Sequence, residues 1–386
     1  MANTLTNLIP DFYAALDVVS RELTGFLPAS QRDASADRCA LNATMRSHVA
    51  PSNAAAGNIT PAMSLPSAAD QTIGNVAFTI QKSRFAPFSW TGEEQNSVDS
   101  GPGYLNIQQD QIAQAIRALT NEMEADLASA AALGASRAFG ATAGTAPVLA
   151  DFAQAKKILD DNGAPMSDRH FIVDTTAGVA LRGTSNLFKV NEAGDPTMLR
   201  QGILGNLYGF DIRESAQVVT PTAGTMASAT SSNAAFTVGQ TVIPLATAGT
   251  GVVAAGDIIT FANDTNKYVV ASVSFAGANP ASGDTITLAA PGLRKAQAAA
   301  TRAITVFATS TRNIAMTRNA LLVGTRLPAL PREGDMAIDR TVEVDPRTGI
   351  AFELAVYPGF RMVTYHLSAA WGVKVMKPEH IATIIG

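Results

Sequence analysis

Cysteine and charge are both scarce in this chain of 386 residues. A single cysteine, Cys39, excludes disulfide bonds within the chain and favours a reducing compartment during folding. Charged residues make up 16% of the chain, against about 25% in an ordinary soluble domain. The formal net charge is -4, with no long run of either sign, which argues against tight, sequence-reading DNA binding. A surface with so little charge is typical of a protein that partners cover.

Long apolar runs are also missing. No window approaches the roughly 20 apolar residues that a membrane span requires. The N-terminal stretch MANTLTNLIPDFYAALDVVSRELTGF contains four charged residues and lacks the uninterrupted apolar core of a signal peptide. We therefore expect no membrane association and a product that stays in the cytoplasm until it assembles. An apolar content of 47% and a mean hydropathy of +0.12 nevertheless predict an ordered, globular chain with two or three domains.

Catalytic and metal-binding motifs are absent from the sequence. There is no HExxH or CxxC pattern, no GxSxG turn and no phosphate-binding loop with its lysine. Cys39 and His48 lie near each other in sequence, but no orienting group accompanies them, so a nucleophile and base pair is not indicated. The adjacent acids Glu93 and Glu94 are interpreted as solvated turn charges. We expect no enzyme activity, no cofactor and no metal site.

The N-terminal region carries one helical pattern. Between Asp11 and Thr24, apolar residues at helical spacing include Phe12 and Leu16, with Pro10 before the stretch and Gly25 after it. A short amphipathic helix must dock on something to be stable. It docks either on a neighbouring molecule or, as an ordinary first helix, on its own domain.

A long ribbon follows. A strand is predicted at residues 43–49, and the Ala-, Ser- and Pro-rich stretch PSNAAAGNITPAMSLPSAAD after it reads as an exposed loop. From Asn75 the chain returns as a strand with Val76, Phe78 and Ile80 on one face. Its polar continuation through Lys82 and Arg84 fits an arm that reaches water or a neighbour. The two strands and the loop form an up-and-down excursion.

An acidic turn then leads into a long amphipathic helix. Its apolar stripe is Ile112, Ile116, Leu119, Met123 and Leu127. Charged residues, including Glu122, Glu124 and Asp126, are assigned to the remaining arc.

The middle of the chain alternates helices with buried strands. A helix is predicted at 148–161, a buried strand at RHFIVDT, a short helix at TAGVALRG, and a tight turn feeding a core strand at LGNLYGFDIRES. Between Thr220 and Phe307, short alternating runs separated by Gly, Asn and Pro turns predict a small inserted all-β barrel or sandwich. Long strands close the chain.

Several of these segments resemble the major capsid proteins of tailed bacteriophages. They are FTIQKSRFAPFSWTGEE, LGNLYGFDIRES, TGIAFELAVYPGF and WGVKVMKPEHIATI, in that order along the chain. The stretch STRNIAMTRNALLVGTRLPALP is similar to the family's strand followed by a helix before a Pro-rich turn. The resemblance is strongest to the coat-protein branch of short-tailed phages, whose members carry an extra β-rich insertion.

This resemblance implies an α+β chain with the Hong Kong 97 capsid fold. Its parts would be an N-terminal arm at 1–42, an extended loop at 43–91, a peripheral domain at 92–147 with a long spine helix, completed by about 335–362, a central domain at 148–219 and part of 308–386, and the inserted β domain at 220–307. The implied function is assembly into an icosahedral head that encloses double-stranded DNA.

The implied partners are other copies of the chain, in hexamers and pentamers. A separate scaffolding protein and a portal are expected during assembly in the host cytoplasm, and packaged DNA is expected to touch the shell without sequence preference. A decoration protein is a further candidate partner, and the mature location is the virion. The alternatives are a secreted or virion-attached β-rich adhesin or tail component, and a bacterial encapsulin-like shell, which would lack the insertion.

Candidate contact residues between copies follow from the arm and the ribbon, where aromatic anchors lie beside opposite charges. They are Phe12, Leu16, Arg46, Lys82, Arg84, Phe88, Trp90, Glu93 and Glu94. An equally weighted interpretation is that Phe88 and Trp90 pack on the long helix of their own chain.

Overall fold

The structure is a computed structural model that describes residues 23–48, 61, 75–99, 104–140, 144–184, 204–247, 249–275, 280–345 and 348–386. Five α-helices lie in these ranges: α1 (Phe26–Ala29), α2 (Gly92–Asp99), α3 (Tyr104–Leu133), α4 (Leu149–Asp161) and α5 (Thr175–Arg182). The strands are β1 (Gln31–Cys39), β2 (Thr44–His48), β3 (Asn75–Thr79), β4 (Lys82–Thr91), β5 (Arg137–Phe139), β6 (Arg169–Val173), β7 (Asn206–Leu207), β8 (Phe210–Glu214), β9 (Ala229–Ser231), β10 (Val242–Thr247), β11 (Ile258–Phe261), β12 (Lys267–Ser274), β13 (Thr285–Leu288), β14 (Ala303–Val306), β15 (Arg312–Thr317), β16 (Leu321–Pro328), β17 (Asp339–Val344), β18 (Ala351–Gly359), β19 (Met362–Val375) and β20 (Ile381–Ile385).

A six-stranded sheet forms one side of the molecule. Five of its strands follow the order β1-β16-β19-β18-β17. The sixth strand, β4, also pairs with β19, which is 14 residues long. One face packs on α3, where Leu119, Met123 and Leu127 of the predicted apolar stripe are buried against Leu367 and Trp371 of β19. This apolar contact fixes the long helix across the sheet.

The base of the predicted loop lies on the opposite face of this sheet. Strands β2 and β3 pair with each other in a separate two-stranded ribbon, in register from Thr44↔Thr79 to His48↔Asn75. Phe78 and Ile80 are buried against Leu322 and Ala370, which confirms the predicted alternation. The tip of the excursion lies outside the described residues, apart from Pro61.

The inserted segment closes into a barrel. Strands β9–β14 pair in the order β11-β14-β9-β10-β13-β12, and β11 also pairs with β12, which completes the ring. The interior has its own apolar cluster, which includes Phe236, Ile259 and Tyr268. Strand β12 also pairs with β5, so the barrel strands and six further strands of the body form one twelve-stranded sheet.

The rest of that twelve-stranded sheet is β5-β20-β15-β6-β8-β7, with α4 and α5 packed against it. Helix α4 buries Phe152, Ala155, Ile158 and Leu159, as its periodicity predicts. Tyr208 and Gly209, at the β7–β8 turn, both have positive φ, at 52° and 83°. Two such residues are typical of the tight turns that join paired strands, and Gly209 adopts this conformation without steric cost.

Three local predictions are wrong. The helix expected after Asn319 and Ala320 is only a 3-10 turn, Arg318–Ala320, and the following residues form β16, because Leu321–Leu327 is buried on both faces inside a sheet. The acidic turn before the long helix is the helix α2. Glu124, assigned to the polar arc of α3, is fully buried.

The predicted arm also changes in part. Residues 26–39 form α1 and β1, and β1 pairs in parallel with β16 inside the six-stranded sheet. Leu23 and Thr24, the last residues of the predicted first helix, are not helical, and Phe12 and Leu16 lie outside the described residues. Among the helices that the structure describes, none is both long and apolar enough to cross a membrane.

Candidate assembly surface

Strand β4 points its even-numbered residues at α3. Lys82 lies opposite Trp371 in the ladder, Arg84 opposite Ala369 and Ala86 opposite Leu367, and these three residues of β19 belong to the core under the helix. Phe88 and Trp90 continue the same alternation. Four of the candidate contact residues therefore face the helix of their own chain.

Lys82 and Arg84 form an ion-pair network with α3. The Lys82 Nζ lies 2.9 Å from both Glu122 Oε1 and Asp126 Oδ1, and the Arg84 Nε lies 3.1 Å from Glu122 Oε1. Asp126 also accepts a 2.9 Å hydrogen bond from the Trp371 indole. Burial opposes the charge on Lys82, but the hydrogen bonds with Asp126 and Glu122 outweigh it and raise the pKa of Lys82.

Trp90 and Glu94 are buried where β4 meets α2. The Trp90 indole, only 3% exposed, donates a 2.6 Å hydrogen bond to Gln111 Oε1 of α3. This geometry supports the interpretation that Trp90 packs on its own helix. The Glu94 carboxylate accepts from the Thr91 backbone N–H while the Glu94 N–H approaches Thr91 Oγ1, a reciprocal cap on α2. Glu94 is therefore not a solvated turn charge, and the T-x-x-E spacing at 91–94 is the sequence signal for the cap.

The opposite face of β4 carries an exposed aromatic row. The Phe85 ring, 58% exposed, stacks on His366 of β19 at 4.9 Å, and Tyr357 of β18 lies 4.8 Å from the same imidazole. Phe85 is not among the contact residues predicted from the sequence. The alternation that puts Trp90 inward would have placed Phe85 outward.

Charged residues extend this row toward β1. Tyr357 donates a 2.8 Å hydrogen bond to Asp335 Oδ2, and Asp335 also pairs with Arg340. The hydrogen bonds from Tyr357 and Arg340 lower the pKa of Asp335. Arg340 and Arg38 both contact the buried carboxylate of Glu353, at 2.9 and 2.6 Å. The outer face is thus a preorganised strip of rings and ion pairs across the sheet.

The tip of the same sheet contains a cleft of about 950 Å³. One wall is the end of β4 and the start of α2, from Trp90 to Asn96, and the other is the β18–β19 turn. The turn presents Phe360, which is 93% exposed, and the exposed Arg361, while Glu93 is exposed on the facing wall. A fully exposed aromatic ring beside an open cleft is typical of an interaction site.

Arg46 lies elsewhere, on the two-stranded ribbon. It is exposed on β2, opposite Ala77 of β3. Of the predicted contact residues that the structure describes, Arg46, Arg84 and Glu93 are thus exposed, Lys82 and Phe88 are half-buried, and Trp90 and Glu94 are buried. In the described ranges, no group of three or more His, Cys, Asp or Glu side chains is arranged to hold a metal ion.

Comparison with known proteins gives structural matches only. No protein-family model matches the sequence, and no curated protein does. The capsid structure of the Cyanophage P-SCSP1u aligns with a TM-score of 0.53 at 12% identity, over 96% of this chain and 91% of that chain. A chain from Mycobacterium phage Che8 gives 0.49 at 14% identity, over 99% and 98%. The capsid of a native GTA particle gives 0.49 at 11% identity, over 99% of both chains.

The P-SCSP1u alignment spans both sheets, the long helix and the barrel, because it covers nearly the whole chain. The expectation of a phage capsid fold, drawn from the order of the sequence motifs, is confirmed.

Proposed function

We propose that this chain is the major capsid protein of a tailed bacteriophage, and that its copies assemble into an icosahedral head around double-stranded DNA. The observation that carries the proposal is the match to the P-SCSP1u capsid chain over 96% of this chain. The chain fits this role: its low content of charged residues, a predicted loop without a core of its own and an exposed aromatic row all suit a protein covered by its own copies.

We propose the Hong Kong 97 arrangement for the parts. The six-stranded sheet with α3 as its spine would be the peripheral domain, and the sheet around β15 and β20 with α4 and α5 would be the central domain. The β2–β3 ribbon would be the base of the extended loop, and β9–β14 the inserted domain. Because residues 26–39 pack into the body, the proposed arm is the segment that precedes α1.

Contacts between copies would use the exposed features of the peripheral sheet. Phe360 at the tip and Phe85 on the outer face supply apolar anchors, while Glu93 and Arg361 supply opposite charges on the two walls of the tip cleft. A ring on the lip of a cleft allows one copy to insert its turn into the next, which is a head-to-tail contact that closes into rings under rotational symmetry. Arg46, Phe12 and Leu16 would contribute from the loop and the arm.

The partners that complete this proposal are those of a phage head. Hexamers and pentamers of the chain would form with a separate scaffolding protein and a portal in the host cytoplasm, and a decoration protein could bind the finished virion. DNA would meet the inner wall without sequence preference, in keeping with the net charge of -4.

The barrel helps to choose between the shell-forming alternatives. An encapsulin-like shell is expected to lack an insertion, whereas β9–β14 close into a barrel with a separate apolar cluster. The adhesin or tail alternative rests on the β-rich segment alone and leaves α3 and its sheet unexplained.

Sedimentation velocity of the purified full-length chain tests the proposal. We expect species of very high mass, alone or after addition of a scaffolding protein from a phage of the same type. A chain that sediments only as a monomer under both conditions would overturn it.

A further inference from the structure

A short 3-10 turn, Arg318–Ala320, carries the chain from β15 of the twelve-stranded sheet to β16 of the six-stranded sheet. We call this turn the crossing. Its Ala320 carbonyl oxygen accepts a 2.8 Å hydrogen bond from the Met376 N–H, in the segment that returns from β19 to β20. The Arg318 N–H donates to the Asp168 carbonyl oxygen at 3.2 Å. The crossing is therefore tied both to the returning segment and to the start of β6.

The Arg318 side chain adds a further tie to the same place. Its Nε lies 3.0 Å from Asp168 Oδ2, and its Nη2 lies 3.1 Å from Nε2 of His170. The same Nε2 lies 3.0 Å from Asp168 Oδ1. One ring nitrogen of His170 thus faces a donor and an acceptor, both at hydrogen-bond distance.

These two contacts of Nε2 exclude each other. An imidazole nitrogen carries either a proton or a lone pair, so Nε2 can accept from Arg318 or donate to Asp168, but not both. The other ring nitrogen, Nδ1, lies 3.4 Å from Asp211 Oδ2. A neutral ring with its proton on Nδ1 presents an N–H to Asp211 and accepts from Arg318, whereas a proton on Nε2 serves Asp168 alone. The neutral ring therefore favours the Nδ1–H form.

The surroundings of His170 keep its ring neutral at pH 7. The ring is 3% exposed, and β15 places the apolar Met316 opposite it in the ladder. The charged groups that face it are Asp168 before β6, Asp211 and Arg213 on β8, and Arg318 in the crossing. Burial lowers the pKa of His170 below 6.5; the hydrogen bond with Asp168 opposes this shift, and the two arginine charges add to it. The ring thus takes up a proton only in acid.

We propose that His170 is a proton-controlled latch on the crossing. With the ring neutral, Nε2 accepts from Arg318 Nη2 and the latch is closed. With the ring protonated, both nitrogens carry protons and face the carboxylates of Asp168 and Asp211, so Arg318 Nη2 meets an N–H and turns away. Acid thus releases a side chain that ties the crossing to the start of β6. The latch belongs to the single chain, so it holds or fails independently of the proposed capsid function.

The position of the ring proton tests the closed latch. Nitrogen–proton correlation NMR of the unassembled chain, labelled in its histidines, shows which ring nitrogen carries the proton. The signals of His170 are those that disappear in His170→Gln. We expect the Nδ1–H form at about pH 7.5, above the ordinary pKa of histidine, whereas a free imidazole prefers the Nε2–H form. A proton on Nε2 at this pH would overturn the latch.

Two arginine variants separate the hydrogen bond from the charge. Arg318→Met removes the donor to Nε2, so the ring proton should move to Nε2 and point to Asp168. Arg213→Met is the matched control: it removes a nearby positive charge whose guanidinium donates to Asp211 at 2.6 Å. The proton should then stay on Nδ1 while the pKa of His170 rises. If the ring keeps the Nδ1–H form in Arg318→Met, Arg318 does not set the ring and the latch is wrong.

Hydrogen exchange tests the opening of the latch. As the pH drops through the titration of His170, we expect the Arg318 and Met376 amides to lose about tenfold in protection relative to intrinsic exchange, which corresponds to one hydrogen bond with a charged group. His170→Gln does not titrate and should lack this step, whereas Arg332→Met, which removes an exposed arginine outside the cluster, should keep it. A wild-type chain without the step, or a step that persists in His170→Gln, would contradict the latch.

Discussion

Gly324 of β16 and Gly372 of β19 lie directly opposite each other in the six-stranded sheet. A side chain at Gly324 would overlap the Phe78 ring, and one at Gly372 would overlap the Thr79 carbonyl oxygen. The two glycines therefore form a notch in the outer face of the sheet, in which the base of the β2–β3 ribbon lies. Because Gly324 and Gly372 have no side chains, the ribbon can pack directly against the sheet.

Replacement of Gly372 by alanine should displace the ribbon. The added methyl group meets backbone, which cannot rotate away, so we expect a loss of about 2 kcal/mol in the free energy of unfolding, measured by urea denaturation. Gly92→Ala is the matched control, because a side chain there meets nothing within 4 Å. Equal stability of the Gly372→Ala chain and the wild type would show that the notch does not hold the ribbon.

Acid should weaken the unassembled chain through its histidines. Burial lowers the pKa of His170 below its ordinary value of 6.5; the hydrogen bond with Asp168 opposes this shift, and the charges of Arg213 and Arg318 add to it. Asp211 also faces the ring, at 3.4 Å. The unfolded chain thus takes up a proton at a higher pH than the folded chain does, so stability falls as the pH drops through 6.5 toward the lowered value.

Urea denaturation of His170→Gln at a series of pH values checks this expectation. The variant should show a shallower loss of stability than the wild type between about pH 7 and pH 5. Burial also lowers the pKa of His366 and His380, so part of the wild-type slope should remain. A slope that is identical in the two chains would contradict the assignment to His170.

The tip cleft should join two copies through Glu93 and Arg361. Either Glu93→Arg or Arg361→Glu alone would place like charges opposite each other, so we expect each single change to prevent assembly. The two changes together should restore it. Lys82→Gln is the control: Lys82 pairs with α3 of its own chain, so this change should leave assembly intact. Light scattering reports the outcome.

Pairs of introduced cysteines distinguish a contact between copies from a contact within one chain. Cys39 is replaced by alanine, and chains with Glu93→Cys are mixed with chains with Arg361→Cys before assembly and mild oxidation. We expect disulfide-linked dimers on a non-reducing gel. Intact assemblies without cross-linked dimers would place the contact elsewhere.

The segment at residues 51–67, which the sequence predicts to be a loop, should be required for assembly and dispensable for folding. Deletion of residues 51–67 removes a stretch without a core of its own, so the thermal unfolding of the monomer should change little while assembly is lost. Assembly that proceeds as in the wild type would show that the loop is not an interface.

Local patterns predicted much of this fold. Helix α4, strand β6 and the Gly209 turn follow from spacing within a dozen residues, and the structure has them where the sequence places them. An inserted all-β barrel or sandwich was also predictable from the short alternating runs between turns, and the pairing of β11 with β12 decides for the barrel.

Contacts between distant parts of the chain decided the features that local patterns could not predict. The apolar run of β16 suits a helix or a buried strand equally, and its place between β1 and β19 makes it a strand. Glu124 follows Met123 on the buried side of α3, where the distant donors of residues 25–27 and Ser215 make a carboxylate stable. In β4, period two predicts that Trp90 and Phe85 face opposite ways, but only the position of α3 decides which faces out.

Negative-stain electron microscopy of the full-length chain, expressed with and without a scaffolding protein, tests the capsid assignment most directly. We expect closed shells or curved sheets built from rings of this chain. A stable monomer in every field, with saturable binding to a sugar surface, would contradict it and favour the adhesin alternative.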